Sequence, residues 1–279
     1  MGEMMKKQKQ TNQRNKRQLA YQQGFTLIEL MVSLALGLLV VALVGSLYAN
    51  NSDVFRFQRA QGEAQEKARF VLGYLRQNLQ QAGYHRDGTA FSADTEFDEN
   101  EIFSRSKSGA TKSMYRYQQA SDLRNCAGIQ IASTNATAYL VDTRAVLATA
   151  TATDLNSRLV CYPNATDITE ATGKPFEVAK GVFDMQFQYG VDTTADAVID
   201  VYKSTNTMTA GDWLNIHAIS VCVLVASDTK LPLKKKGMLQ NFTDCTGAAK
   251  SSENYVDVNG FSPVMSVVRT TIYLPNTPK

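Results

Sequence analysis

The sequence predicts an α+β protein in which one long N-terminal helix is followed by a domain built on antiparallel β-strands. Three features of the 279-residue chain lead to this prediction. An uncharged apolar segment lies near the N-terminus, apolar residues at helical spacing follow it, and strand-like alternation appears in the second half. Apolar residues make up 44% of the chain, so it can bury a core of substantial size.

Basic charge is concentrated at the N-terminal end of the chain. Residues 1–24 contain six basic side chains and one acidic side chain, Glu3. The remaining residues carry 23 basic and 25 acidic groups, a formal balance of about −2. This distribution argues against a protein whose whole surface binds nucleic acid.

The apolar segment that follows is long enough to cross a membrane. Residues 30–49 contain no charged residue and no proline, and twenty helical residues span roughly 30 Å. The preceding basic residues place the N-terminus in the cytoplasm and residues 50–279 on the other side. A secretory signal has a shorter apolar core, of about 7–15 residues, and would not retain an acid such as Glu29 at its start. We therefore predict a transmembrane helix over residues 25–49.

The residues at the start of this segment, GFTLIEL from Gly24 to Leu30, resemble the type IV prepilin motif. The resemblance implies cleavage by a prepilin peptidase after Gly24 and N-methylation of Phe25, the new first residue. It also implies that Glu29 pairs with the terminal amine of a neighbouring subunit, which is consistent with the cost of burying an unpaired carboxylate. The alternative is a plain single-pass anchor in which Glu29 reaches the cytoplasmic interface.

The helix is expected to continue through residues 50–83. No proline interrupts this stretch, and Gly83 follows the last apolar residue as a stop. One apolar stripe recurs at steps of three and four: Ala64, Ala68, Val71, Leu72, Leu75, Leu79 and Ala82. We expect the stripe to pack on the chain's own globular domain, with binding of a partner as the alternative.

Residues 84–279 are expected to form a β-rich head. Residues 85–125 predict long loops or short strands, and period-two alternation is clearest over 183–189. Other predicted strands are 129–131, 139–141, 159–162, 198–202, 216–225 and 264–274. Few helical patterns separate the strands, which favours an antiparallel sheet packed on the outer half of the helix.

The stretch from Lys180 to Ser227, which contains KGVFDMQFQYGVDTTADAVIDVY and Trp213, is similar to the PilW family of minor pilins. The resemblance implies a non-enzymatic subunit of the type IV pilus, with an inner-membrane anchor and a periplasmic head, that later reaches the cell surface near the fibre tip. The implied partners are other minor pilins, the major pilin, the prepilin peptidase/methyltransferase, the inner-membrane assembly platform, membrane lipid and a tip adhesin. The implied roles are pilus assembly, twitching motility and adhesion. The alternatives are a J-type minor pseudopilin of type II secretion and a pilus-borne module that binds DNA or a surface ligand.

All four cysteines, Cys126, Cys161, Cys222 and Cys245, follow the membrane segment. The predicted topology places them in an oxidising compartment where disulfides persist. Three pairings are open, and the sequential one, Cys126–Cys161 with Cys222–Cys245, closes the shortest loops. No CxxC or Hx3H spacing supports a zinc site.

Two groups of acidic residues and one run of lysines could bind a ligand, but each is also explained as a solvated loop. The acidic groups are Asp94, Glu96 and Asp98, and Asp192, Asp196 and Asp200. Neither has the spacing of a calcium loop, so solvated loops are favoured over a Ca²⁺ site. Lys234–Lys236 is interpreted as a solvated hairpin tip, with DNA contact as an unfavoured alternative, because no aromatic residues accompany the lysines.

No catalytic motif is recognisable. The chain contains no GxSxG and no P-loop, and His217 shares a strand face with Ile219 and Val221, which favours a core histidine. We therefore predict no catalytic residue, no metal and no cofactor.

Overall fold

The computed structural model describes residues 24–85, 91–93, 97–105, 108–118, 124–129, 135–142, 157–163, 175–232, 240–257 and 259–277. The chain divides into two compact units, Met1–Asn51 and Ser52–Lys279. One long helix at the N-terminus and antiparallel sheets beyond it confirm the predicted α+β class.

Helix α1 spans Leu27–Leu79 and is long and apolar enough in its first part to cross a membrane. The described side chains of the first unit, from Gly24 to Asn51, are all exposed. After α1, turns lead to Gly83, which adopts a φ of 74°. A Cβ at that position would lie 2.7 Å from Ile102 Cδ1, so both conformation and space require glycine there.

The described residues of the second unit form two four-stranded antiparallel sheets, where one was expected from the sequence. The first has the order β1-β2-β3-β4, with β1 at Lys112–Gln118, β2 at Asn135–Asp142, β3 at Arg158–Pro163 and β4 at Phe176–Lys180. The second has the order β10-β7-β5-β6, with β5 at Val182–Val191, β6 at Val201–Lys203, β7 at Ile216–Pro232 and β10 at Phe261–Tyr273. A two-stranded ribbon joins β8 at Asn241–Thr243 to β9 at Ala249–Ser251.

The main core lies between the second half of α1 and the β5-β7-β10 sheet. Val71, Leu75 and Leu79 are fully buried in one cluster with Phe187 and Val221. The predicted stripe therefore packs on the chain's own domain, because its apolar residues face one side of the helix at the same spacing.

A smaller core lies on the opposite face of the same sheet, beneath the ribbon. Phe183, Leu224 and Met265 pack there with Tyr255, while Cys222 and Cys245 link β7 to the ribbon side. Both faces of the β10-β7-β5-β6 sheet are thus covered, which explains the continuous apolar run of β7.

Two predicted strands differ in the structure. Ile129 forms a closed turn instead, because its amide donates to Asn125 Oδ1 and its carbonyl accepts from the Asn125 amide; residues 130 and 131 lie outside the described residues. The strand predicted over 198–202 is shortened to β6, because Asp192 and Asp200 accept backbone amides and close residues 192–200 into a loop.

Candidate assembly site

The N-terminal end of α1 brings together the residues that the prepilin resemblance singles out. Gly24, Phe25 and Thr26 lie in non-helical chain directly before the helix, and Phe25 is 86% exposed. The Gly24–Phe25 bond therefore lies in exposed, non-helical chain.

Glu29 and Thr26 form a capping box at this end. The Thr26 amide and hydroxyl each donate to Glu29 Oε2 at 3.0 Å, and the Glu29 amide donates to Thr26 Oγ1 at 3.3 Å. These bonds satisfy backbone donors that the first turn of a helix leaves unpaired. The cap was not predicted from the sequence, although the spacing T-x-x-E before an apolar run indicates it.

The globular domain is attached to α1 by polar contacts as well as by the core. Glu63 accepts from the Thr229 amide at 2.8 Å and its hydroxyl at 2.9 Å. Lys67 Nζ donates to the Ala226 carbonyl at 2.8 Å and to Asp228 at 2.7 Å. Although partial burial raises the pKa of Glu63, the Thr229 hydrogen bonds outweigh it and lower the pKa below its ordinary value. The two helical side chains fix the position of α1 along β7.

The four cysteines form the two sequential disulfides. Cys126 is bonded to Cys161 and Cys222 to Cys245, closing sequence separations of 35 and 23 residues. The first bond joins the turn at 124–129 to β3, and the second joins β7 to the ribbon turn. Both stabilise segments with few strand contacts of their own.

The acidic loop at 192–200 uses its carboxylates on its own backbone. Asp192 accepts from the amides of Thr194, Ala195 and Ala197, and Asp200 accepts from Thr193. Burial raises the pKa of Asp192, but the hydrogen bonds from the Ala197 and Ala195 amides lower it by more than burial raises it. The pKa therefore lies below its ordinary value. The described residues contain no group of three potential metal ligands; Asp94 and Glu96 lie outside them.

The remaining predicted residues take ordinary positions or fall outside the description. His217 is half-buried rather than part of the core, with Nδ1 3.1 Å from Thr277 Oγ1 and Nε2 3.9 Å from Asp192. It lies at the start of β7, where the sheet face is less covered. Lys234–Lys236 lies outside the described residues.

An exposed apolar helix with a capped N-terminus, long enough to cross a membrane and carrying antiparallel sheets on its second half, is the architecture of a type IV pilin-like protein. The prokaryotic N-terminal methylation motif matches residues 19–45, and the family model described as Type IV Pilus-assembly protein W, PilW, matches residues 138–276. The chain belongs to the PilW family.

Among solved structures, the chain is similar to a type IV-like pilin from Thermus thermophilus. The two are 12% identical, the match covers 77% of this chain and 98% of that one, and the TM-score is 0.40. No curated protein sequence matches the chain.

Proposed function

We propose that this chain is a minor pilin that enters a type IV pilus at or near its tip and helps to initiate the fibre, supporting twitching motility and adhesion. Residues 1–24 are the cytoplasmic leader, 25–49 the transmembrane helix, 50–83 its amphipathic continuation and 84–279 the periplasmic head. The peptidase cuts after Gly24, and Phe25 is methylated.

One observation carries the proposal: the chain combines the methylation motif at residues 19–45, in which α1 begins, with a PilW domain at 138–276. A large head on an ordinary pilin helix suits a low-copy position where lateral crowding is relaxed. Other minor pilins, the major pilin, the prepilin peptidase and the assembly platform are the partners that this role requires. We assign no catalytic residue.

Mass spectrometry of the protein isolated from membranes tests the processing step. We expect the intact mass and the N-terminal peptide of a chain that begins at Phe25 with one added methyl group. A chain that begins at or near Met1 would make residues 25–49 a plain anchor and overturn the proposal.

A charge substitution tests the assembly step. In the free chain the Glu29 carboxylate is held only by Thr26 among the described residues, so it is available to a neighbour's amine on the exposed helix. Glu29→Ala should still be cleaved, yet its recovery in sheared pili should fall at least tenfold. Glu66→Ala removes the same charge from an exposed position further along α1 and should be recovered normally. Normal recovery of Glu29→Ala would contradict the proposed pairing.

A deletion strain separates the pilus from type II secretion. The PilW-family match favours the pilus, so we expect loss of twitching with intact secretion of exoenzymes. The opposite phenotype would identify the chain as a J-type pseudopilin.

A further inference from the structure

Strand β10 is the outer strand of its sheet. The backbone N–H and C=O groups of every second residue bond to β7, and those of the residues in between point outward. Two observations fix which residues these are. Met265 exchanges both backbone bonds with the side chain of Gln240, so its N–H and C=O point away from β7. At the other end, the Leu274 amide donates to the His217 carbonyl of β7.

The register between β10 and β7 is continuous from Met265 to Tyr273. Because both backbone groups of a residue in an antiparallel strand point to the same side, the outward-facing residues are Val267, Arg269, Thr271 and Tyr273. In the part of the chain that the structure describes, the backbone groups of these four residues have no partner. The open edge, residues 267–273, extends over roughly 20 Å.

The beginning of β10 is protected against strand pairing, but the open edge is not. Pro263 and a register shift between Pro263 and Met265 interrupt the ladder, and the Gln240 amide takes the place of a partner strand at Met265. Proline, bulges and covering groups are the usual means by which proteins block exposed edges. Beyond Met265 the described chain has no proline, bulge or covering side chain until Pro275, and the charged residue on this stretch is Arg269.

The open edge leads into a cleft of about 260 Å³ at its Val267 end. Gln61 and Gln65 of α1 form one wall, and Phe242 and Thr243 of the ribbon form the other. A strand paired with the open edge can therefore continue between the helix and the ribbon, where glutamine and threonine side chains can bond its backbone.

We propose that the open edge accepts an extended strand from a neighbouring pilin subunit of different sequence, which becomes a fifth strand of this sheet. Main-chain bonds to the open edge would hold the strand, as in other cases of strand addition. The inference rests on the proposed function in one respect, since that function is the reason why the partner is a pilin.

Charge indicates what kind of strand fits. Arg269 is exposed on the outer face of the open edge, whereas the side chains of alternate residues such as Ile272 are buried on the α1 side. The matching strand alternates apolar and polar residues and places an acid beside Arg269. Two copies of β10 would instead place two Arg269 guanidinium groups near each other on one face, so self-pairing is disfavoured.

Photo-cross-linking in cells that assemble pili tests this proposal on the full chain. The probe p-benzoylphenylalanine replaces Thr271 or, in a second strain, Tyr273. The control position is Asn206, which is exposed beyond the opposite edge of the sheet. We expect a covalent adduct with another pilin from positions 271 and 273, at least tenfold more abundant than from 206.

A backbone substitution tests whether main-chain bonding holds the partner. Thr271→Pro removes an outward N–H without removing a bond to β7, and should abolish the adduct formed from position 273. Thr271→Val keeps the N–H and should leave the adduct intact. Thermal unfolding of both variants shows whether the sheet still folds. If Thr271→Pro does not fold, the adducts formed from positions 271 and 273 in the chain without that substitution decide whether the proposal holds.

The outcomes distinguish this inference from the proposed function. A chain that is cut, methylated and incorporated into pili but gives no adduct at 271 or 273 would overturn the inference alone. An adduct with a second copy of this chain, or with a protein that is not a pilin, would also overturn it. An uncut chain would overturn the proposed function.

Discussion

Arg116 is the side chain that organises the loop before β1. It is 3% exposed and donates to the carbonyls of Glu101, Ser92 and Asp98 at 2.6–2.7 Å. Its guanidinium also lies 4.6 Å from the ring centre of Phe91 and 4.8 Å from that of Phe97. Five donors in a fixed plane allow one arginine to hold three backbone segments, which a lysine could not do.

Replacing this arginine should destabilise the head. Arg116→Met fills much of the same volume but removes the donor from one buried carbonyl, that of Glu101, and from two partly buried carbonyls, so we expect the free energy of unfolding to fall by about 3 kcal/mol. Arg116→Lys should have a free energy of unfolding between those of the original chain and of Arg116→Met. Urea unfolding of the purified full chain in detergent measures the change, and an unchanged midpoint for Arg116→Met would contradict the role.

Glu101 should make stability depend on pH. Burial raises its pKa above the ordinary 4.5, and the Asp98 amide only partly offsets this. Between the ordinary and the raised pKa the native carboxyl keeps a proton that the unfolded chain has lost. This contribution to stability is therefore present at low pH and is lost as the pH rises through that window.

Glu101→Gln should remove this part of the pH dependence. Its free energy of unfolding should therefore fall less between pH 4 and pH 7 than that of the original chain. Urea midpoints measured from pH 4 to 7 test the prediction. Glu99→Gln, at an exposed neighbouring position, should retain the original slope. The same slope in both variants would show that Glu101 is not responsible.

At the scale of elements, the second half of α1 has one face that is buried and another that is exposed. The stripe through Val71 and Leu75 is fully buried against the sheet, whereas Phe70 on another face is 56% exposed. Stability of the head depends on the first surface, because only buried side chains gain from removal from water.

Leu75→Ala should lower the free energy of unfolding by about 3 kcal/mol, because it leaves a cavity in the core. Phe70→Ala should change it by less than about 0.5 kcal/mol, as surface substitutions usually do. Urea unfolding of both variants provides the comparison. Equal losses would mean that α1 packs on the head in a different rotation.

At the scale of the whole molecule, covalent links compensate for irregular segments. The two disulfides connect the 124–129 turn and the ribbon to the central strands. Both lie beyond the apolar part of α1, in the portion that the proposed topology exports to an oxidising compartment.

Replacing Cys222 and Cys245 together with serine should lower the free energy of unfolding by about 3 kcal/mol, since the unfolded chain is no longer constrained. Reductant should destabilise the original chain by at least as much. Thermal unfolding with and without dithiothreitol measures both effects. If reductant shifts the double variant as much as the original chain, this bridge contributes nothing.

Elements set by neighbouring residues were predictable from the sequence. The helix and its buried stripe follow from apolar spacing, and β5 from its alternation. β4 and the ribbon were not predicted, and β1 was expected only as long loops or short strands over 85–125, because short strands such as Phe176–Lys180 have little pattern of their own and form through pairing with neighbours such as β3. The capping pair Thr26–Glu29 was available in the sequence and was missed.

The sequence by itself determined the apolar anchor, the motif around Gly24 and Glu29, and the face of α1 that is buried. These depend on residues within a few positions of one another, whose types and spacing act locally. Only the tertiary structure decided that the described strands form two four-stranded sheets and a ribbon, that Arg116 joins three segments and that no described strand pairs with the outer edge of β10. Those features arise where residues far apart in the chain meet, since strand order and burial depend on the packing of the whole domain.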